Sequence, residues 1–217
     1  MVRKFTGSFT QQEGLSEDAI AAAVAVLRSG RLHRYNLAPG EAGEVAQLEA
    51  EYRDWQGSKF CLAVTSGGQA LQIALRACDV APGDKVLTNA YTLAPVPGAI
   101  RAVGSDAVLV EIDENLRLDL DDLGAKIASS GARVLLLSHM RGHLCDMERI
   151  MSICDAAQVT VVEDCAHTMG ARWNGVLSGR HGVMAAYSTQ TYKHLNSGEG
   201  GLLISDDPEL MAKATML

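Results

Sequence analysis

The chain has no apolar run approaching the roughly 18 residues a helix needs to cross a bilayer. Its start, MVRKFTGSFTQQEG, has two basic residues but lacks the apolar stretch of a secretory signal. Neither membrane insertion nor export is expected. The cysteines (Cys61, Cys78, Cys145, Cys154, Cys165) number five, an odd count at wide spacing with no CxxC pair. This fits reduced, buried thiols in a cytoplasm, and no metal site is expected. Charge of one sign is never concentrated: 19 Lys+Arg and 26 Asp+Glu are interspersed, for a net charge of −7. Without a basic stripe, nucleic acid is not an expected partner. GxGxxG and GxxxxGK[ST] are both missing, which leaves a glycine-loop nucleotide-binding domain as a weak alternative. There is no internal repeat, low-complexity tract or linker.

At 217 residues and 47% hydrophobic, the chain can bury a sizeable core. Short apolar runs alternate with helical patterns. Strands are expected at 60–65, 85–88, 107–112, 134–137, 159–163 and 201–205. Helices are expected at 16–29 after Ser16, 44–55, 69–77, 95–102, 120–129 and 147–157, with a last one opening at Pro208 behind Asp206 or Asp207. This alternation predicts an α/β fold with a mostly parallel sheet and helices on its faces. Ligands in such sheets bind beyond the carboxyl ends of the strands. Ser66, Tyr91, His139 and Asp164 each follow a predicted strand and can converge there.

One segment carries most of the chemistry: VVEDCAHTMGARWNGVLSGRHGVMAAYSTQTYKHLNSGEGGLLI. Asp164 stands at the end of an apolar run, where burying a lone carboxylate is costly without a partner. Lys193 lies in a Ser/Thr/Gly-rich loop between Tyr192 and His194, unlike a lysine on a solvated helix face. An amine and a carboxylate so placed suit pyridoxal phosphate, with the lysine forming the Schiff base and the aspartate holding the pyridinium nitrogen. His167 can stack on or hydrogen-bond the same ring. Ser66-Gly67-Gly68, between a strand and a helix, is a plausible phosphate cradle, to which Ser188 adds a hydroxyl. Tyr91 is a candidate for stacking on the ring face.

The runs EDCAHTMGARWNG, YSTQTYKHLNSGEGG, TSGGQALQIAL, TNAYTLAPVPGAI and SHMRGHLCDMERI together resemble the DegT/DnrJ/EryC1/StrS family of pyridoxal-phosphate sugar aminotransferases, from about Gly30 to the last residue. The resemblance implies the large domain of the fold type I (aspartate aminotransferase) PLP-dependent transferases. It implies a ring-nitrogen partner in Asp164, a ring contact in His167, a phosphate ligand in Ser188, a stacking residue in Tyr91 and the aldimine lysine in Lys193. A threonine usual in the family's turn is Gly68 here, so backbone N–H groups or Gln69 must serve the phosphate. A TxGP-like motif is replaced by HRYN, at 33–36. Residues 1–217 are expected to form the PLP-binding large domain, stopping before a C-terminal small domain.

The activity implied is amino transfer from glutamate or glutamine to a keto-sugar, nucleotide-linked, or to a keto-cyclitol, in a cytoplasmic homodimer. Related dehydratases have histidine where this chain has Lys193, so transamination is favoured. The alternative is a non-catalytic or inactive cofactor-binding remnant of the same fold, acting as an interaction protein.

Overall fold

The computed structural model describes residues 4, 6–8, 14–35, 37, 38 and 40–217. The chain divides into two units, residues 1–46 and 47–217. In the first, α1 (Glu17–Ser29) opens on Ser16, whose hydroxyl accepts from the Ala19 N–H at 3.2 Å. Glu17 and Asp18 in the first turn complement the helix dipole, and Gly30 ends the helix in the left-handed region. Arg31 pairs with Glu41. Asn36 of the HRYN run lies outside the described residues.

From α2 (Glu44–Gln56), which begins in the first unit, the chain runs through β1 (Phe60–Val64), α3 (Gly67–Ala77), β2 (Lys85–Asn89), α4 (Pro95–Ala102), β3 (Asp106–Val110), α5 (Leu120–Ser130) and β4 (Val134–Ser138). A 3-10 turn (Met140–Gly142) precedes α6 (Met147–Ala156) and β5 (Thr160–Asp164). A short hairpin, β6 (Arg172–Trp173) and β7 (Val176–Leu177), then leads to β8 (Met184–Ser188), β9 (Gly201–Ser205) and α7 (Pro208–Met216), capped by Asp207.

Seven strands form one sheet in the order β1-β9-β8-β5-β4-β2-β3. From β8 to β3 all neighbours are parallel; β9 runs antiparallel to both β8 and β1. The mostly parallel sheet expected from the sequence is therefore present.

The apolar runs are continuous because both faces of the sheet are covered. In β4, Val134 and Leu136 enter one core with α3, α4 and α7, while Leu135 and Leu137 enter a second with α5 and α6. In β8, Met184 and Ala186 join the first core, while Ala185 and Tyr187 pack with Tyr52, Leu202 and Ile204 in a third. Successive side chains point to opposite faces, so these strands are apolar at every position before their closing serines, Ser138 and Ser188.

Strand β3 ends at Val110 rather than at 112, β8 was not among the expected strands, and three further differences have a local cause. Helix α3 starts at Gly67 rather than at Gln69, because extended Ser66 caps it, its hydroxyl accepting from the Gln69 N–H at 3.0 Å. Strand β5 extends one residue further, since Asp164 pairs in register with Ser138. The β6–β7 hairpin was not expected; Asn174 and Gly175, at φ 45° and 83°, form its two-residue turn. Strands of two residues are too short to show a period.

Candidate active site

A cavity of about 330 Å³ opens beyond the carboxyl ends of the parallel strands. Its polar lining includes Ser66, Asp164, His167, Ser188, Lys193 and Glu199. Leu71, Leu93, Pro95, Val96 and Met140 supply apolar walls, and Gly67 and Gly68 lie at the start of α3. The fold thus gathers Ser66, Gly67, Gly68, Asp164, His167, Ser188 and Lys193, which are up to 127 positions apart in the chain (193 − 66).

Gln69 and Tyr91 do not line this cavity. Gln69 is exposed, and its amide oxygen accepts from the backbone N–H and hydroxyl of Thr65. Tyr91 is half-buried one residue before Thr92, and the neighbouring Leu93 and Pro95 take the wall position instead.

At one end of the cavity, the first N–H groups of α3 lie outside the intrahelical ladder. Two glycines let the surrounding chain close on this helix start. A Cβ at Gly67 would lie 2.9 Å from Ser188 Cβ. One at Gly201 would lie 2.5 Å from the carbonyl of Ser66 and 2.7 Å from Gly67 N. With no side chains at these points, the Ser188 hydroxyl can stand beside a helix N-terminus, an arrangement that favours an anion.

Elsewhere in the cavity, Asp164 closes β5. Its Oδ1 accepts from the Ala166 N–H at 3.1 Å and its Oδ2 from the Ser138 hydroxyl at 3.0 Å. The carboxylate is 9% exposed, so its free lone pairs face the cavity rather than bulk water.

Lys193 and His167 meet in the same space, with Nζ 2.8 Å from Nε2. The backbone N–H of Arg141 points at His167 Nδ1, at 3.3 Å. A ring nitrogen that accepts carries no proton, so this network assigns the imidazole proton to Nε2. With that tautomer Nε2–H is directed at the Lys193 amine. Burial, opposed by Asp164 and reinforced by Arg141, lowers the Lys193 pKa below its usual value. Burial together with the lysine's charge likewise lowers that of His167.

Glu163 precedes Asp164 on the strand and so points to the other side. It is fully buried, and its oxygens accept from Gly179 N (2.9 Å), His181 N (2.9 Å) and Gly182 N (2.7 Å), with His139 Nε2 at 3.1 Å. Burial opposes its ionisation, but the hydrogen bond and charge of His139 and the backbone donors hold the carboxyl below its ordinary value. Burial likewise works against a charged His139, yet bonding to Cys145 and Glu163 raises its pKa to about 9. His139, Glu163 and Cys165 are metal-ligand types within 4.8 Å of one another. The oxygens of Glu163 are already engaged by these donors, so the trio serves as a strut under the strand end.

From the sequence Glu163 is only the end of an expected strand, and Ser138, Arg141 and Glu199 lie in the quoted runs without a role. Nothing in their spacing distinguishes them.

The architecture is that of the large domain of fold type I PLP-dependent transferases. Residues 14–217 match the DegT/DnrJ/EryC1/StrS aminotransferase family, and the chain belongs to it. It is 35% identical over 207 residues to a dTDP-3-amino-3,4,6-trideoxy-alpha-D-glucose transaminase of Streptomyces venezuelae, covering 94% of this chain and 52% of that protein. It is 30% identical over 193 residues to an L-glutamine:scyllo-inosose aminotransferase of Streptomyces griseus, covering 88% and 45%. The crystal structure of an aminotransferase from Psychrobacter cryohalolentis superposes with a TM-score of 0.88 at 27% identity, covering 96% of this chain and 52% of that one. The chain spans about half the length of the curated relatives it matches. No helix among the described residues is long and apolar enough to cross a membrane.

Proposed function

We propose that this chain carries the pyridoxal-phosphate site of an aminotransferase that moves an amino group from glutamate or glutamine to a keto-sugar, nucleotide-linked, or to a keto-cyclitol. The observation that carries this reading is the Lys193 amine, 2.8 Å from His167 in a cavity that also holds Asp164 and the Ser66, Gly67 and Ser188 cradle. The acceptor class follows from the two transaminases named above, one of an amino sugar and one of a cyclitol.

The residues present fit the cofactor. Ser66, Ser188 and the first N–H groups of α3 receive its phosphate, where removal of two Cβ atoms has made room. Asp164, held by Ser138 and the Ala166 N–H, would accept a hydrogen bond from the protonated ring nitrogen and keep the proton there. When bound, pyridoxal phosphate supplies an electron-withdrawing ring that stabilises negative charge developing on the substrate carbon. Lys193 holds the cofactor through its amine and, once released, moves the proton on and off that carbon as a base. His167 keeps that amine oriented and unprotonated. Leu71, Leu93, Pro95, Val96 and Met140 keep water from the reacting face. The working form is proposed to be a homodimer, and sedimentation as a monomer under assay conditions overturns that point.

An absorption titration tests the reading. Adding pyridoxal phosphate to the purified chain is expected to produce a long-wavelength band, and adding glutamate or glutamine is expected to shift it. Absence of the first band overturns the cofactor assignment. A first band that no amino donor shifts overturns the transfer reaction.

A further inference from the structure

The ring-nitrogen role proposed for Asp164 depends on how its carboxylate is aimed, and Ser138, the first residue of the SHMRGHLCDMERI run, bears on that. Ser138 is the last residue of β4, 2% exposed, and pairs in register with Asp164 on the neighbouring parallel strand. Its hydroxyl makes two contacts: Thr92 Oγ1 at 2.8 Å and Asp164 Oδ2 at 3.0 Å. An ionised carboxylate only accepts, so Ser138 donates to Asp164. Its one proton is thereby committed, and its oxygen accepts from Thr92. The direction of both bonds is settled.

The backbone of Ser138 is fixed as well. The β2–β4 pairing runs from Val86↔Val134 to Thr88↔Leu136 and stops there. Beyond it the side chain of Asn89, 1% exposed, takes over: Oδ1 accepts from Ser138 N–H and Nδ2 donates to Ser138 C=O, each at 2.9 Å. A side-chain amide thus continues the sheet by one rung and prevents fraying where the carboxylate must be held. Thr92 adjoins Leu93, which lines the cavity, so the same chain of bonds ties a wall of the pocket to Asp164.

Building on the proposed function, we infer that Ser138 is a positioning residue: buttressed by Asn89 and Thr92, its hydroxyl locks the Asp164 carboxylate in the orientation that holds the cofactor's ring proton. With Oδ2 tied to Ser138 and Oδ1 to the Ala166 N–H, both ends of the carboxylate are anchored. Loss of one anchor frees it to rotate about its own axis.

Two measurements on the 217-residue chain test this. In the cofactor-free protein, the Asp164 carboxyl carbon is expected to give one sharp NMR resonance in wild type. That signal is expected to broaden or double in Ser138→Ala and to sharpen again in Ser138→Thr. In protein loaded with ¹⁵N-labelled pyridoxal phosphate, the ring nitrogen is expected to move from the pyridinium position towards that of unprotonated pyridine in Ser138→Ala. Thr92→Val, which leaves the Ser138 hydroxyl in place but unbuttressed, is expected to shift it less in the same direction. A sharp carboxyl signal and an unmoved ring nitrogen in Ser138→Ala overturn the inference. If wild type takes up no cofactor, the proposed function fails, and the cofactor-free carboxyl measurement alone then decides on Ser138.

Discussion

Lys193 Nζ stands 2.8 Å from His167 Nε2, and the Arg141 N–H on the far side of the imidazole leaves that contact a single polarity. A protonated lysine would have to donate to Nε2, forcing the imidazole proton onto Nδ1 and against the Arg141 N–H. The backbone, through a residue in the left-handed region at φ 56°, therefore favours the tautomer that carries its proton on Nε2, facing Lys193.

Lys193→Ala is expected to remove the long-wavelength absorption that pyridoxal phosphate induces in the wild-type chain, and amino transfer with it. Lys193 is only half-buried and lies in a loop, so stability is expected to change by no more than about 1 kcal/mol. Urea unfolding alongside the spectrum checks both statements. A retained band contradicts the assignment of the amine.

Gly67→Ala places a Cβ 2.9 Å from Ser188 Cβ, at the point where α3 meets the end of β8. Neither backbone can retreat without disturbing the sheet, so a loss of about 1–3 kcal/mol in stability is expected. Cofactor affinity is expected to fall by at least about tenfold, since the displaced Ser188 hydroxyl and helix start are the proposed phosphate ligands. Gly68→Ala, whose nearest neighbours would be 3.8 Å and 3.9 Å away, is expected to be far milder. Equal effects from the two variants, read by cofactor titration, contradict the cradle geometry.

Glu163→Ala strips the acceptor from three backbone N–H groups and leaves His139 without its counter-charge in a fully buried place. A loss of about 3–5 kcal/mol is expected from breaking one side of a buried pair. Glu163→Gln keeps one acceptor oxygen and is expected to lose less. Denaturant midpoints of the two variants provide the comparison.

The same pair shapes the pH dependence of stability. Against the cost of burial, bonding to Cys145 and Glu163 raises the folded His139 value from 6.5 to about 9. Its contribution is therefore complete below pH 6.5 and lost as pH rises through about 9. Glu163 is shifted down from 4.5, burial notwithstanding, so its contribution is complete above 4.5 and lost as pH falls through its lower folded value. Unfolding midpoints are expected to be highest between these limits and to decline from neutral towards alkaline pH. His139→Asn is expected to flatten the alkaline decline; an unchanged slope in that variant assigns the decline elsewhere.

Much of the fold could be read directly, because runs such as VLLL at 134–137 are apolar at every position and are separated by helical patterns, whereas β8 was not among the expected strands. Ser66, Asp164 and Lys193 could be read too, as polar residues where an apolar run breaks or a glycine turn begins. Gln69 and Tyr91 sit beside such positions and looked equivalent, yet Gln69 turns back to Thr65, and Leu93 and Pro95 form the wall near Tyr91. A one-residue difference along a turn cannot be judged without the backbone path.

The amino-acid sequence by itself determined the layered α/β architecture and marked Lys193 and Asp164 as the candidate amine and carboxylate, since hydrophobic period and the cost of burying charge act locally along the chain. Only the tertiary structure decided how they are aimed. Ser138 meets Asp164 through strand register, Asn89 meets Ser138 where a ladder runs out, and the tautomer of His167 depends on an N–H 26 residues away (167 − 141). Each is a hydrogen bond between residues distant in the chain, and its direction depends on angles and distances that exist only once the strands have packed side by side.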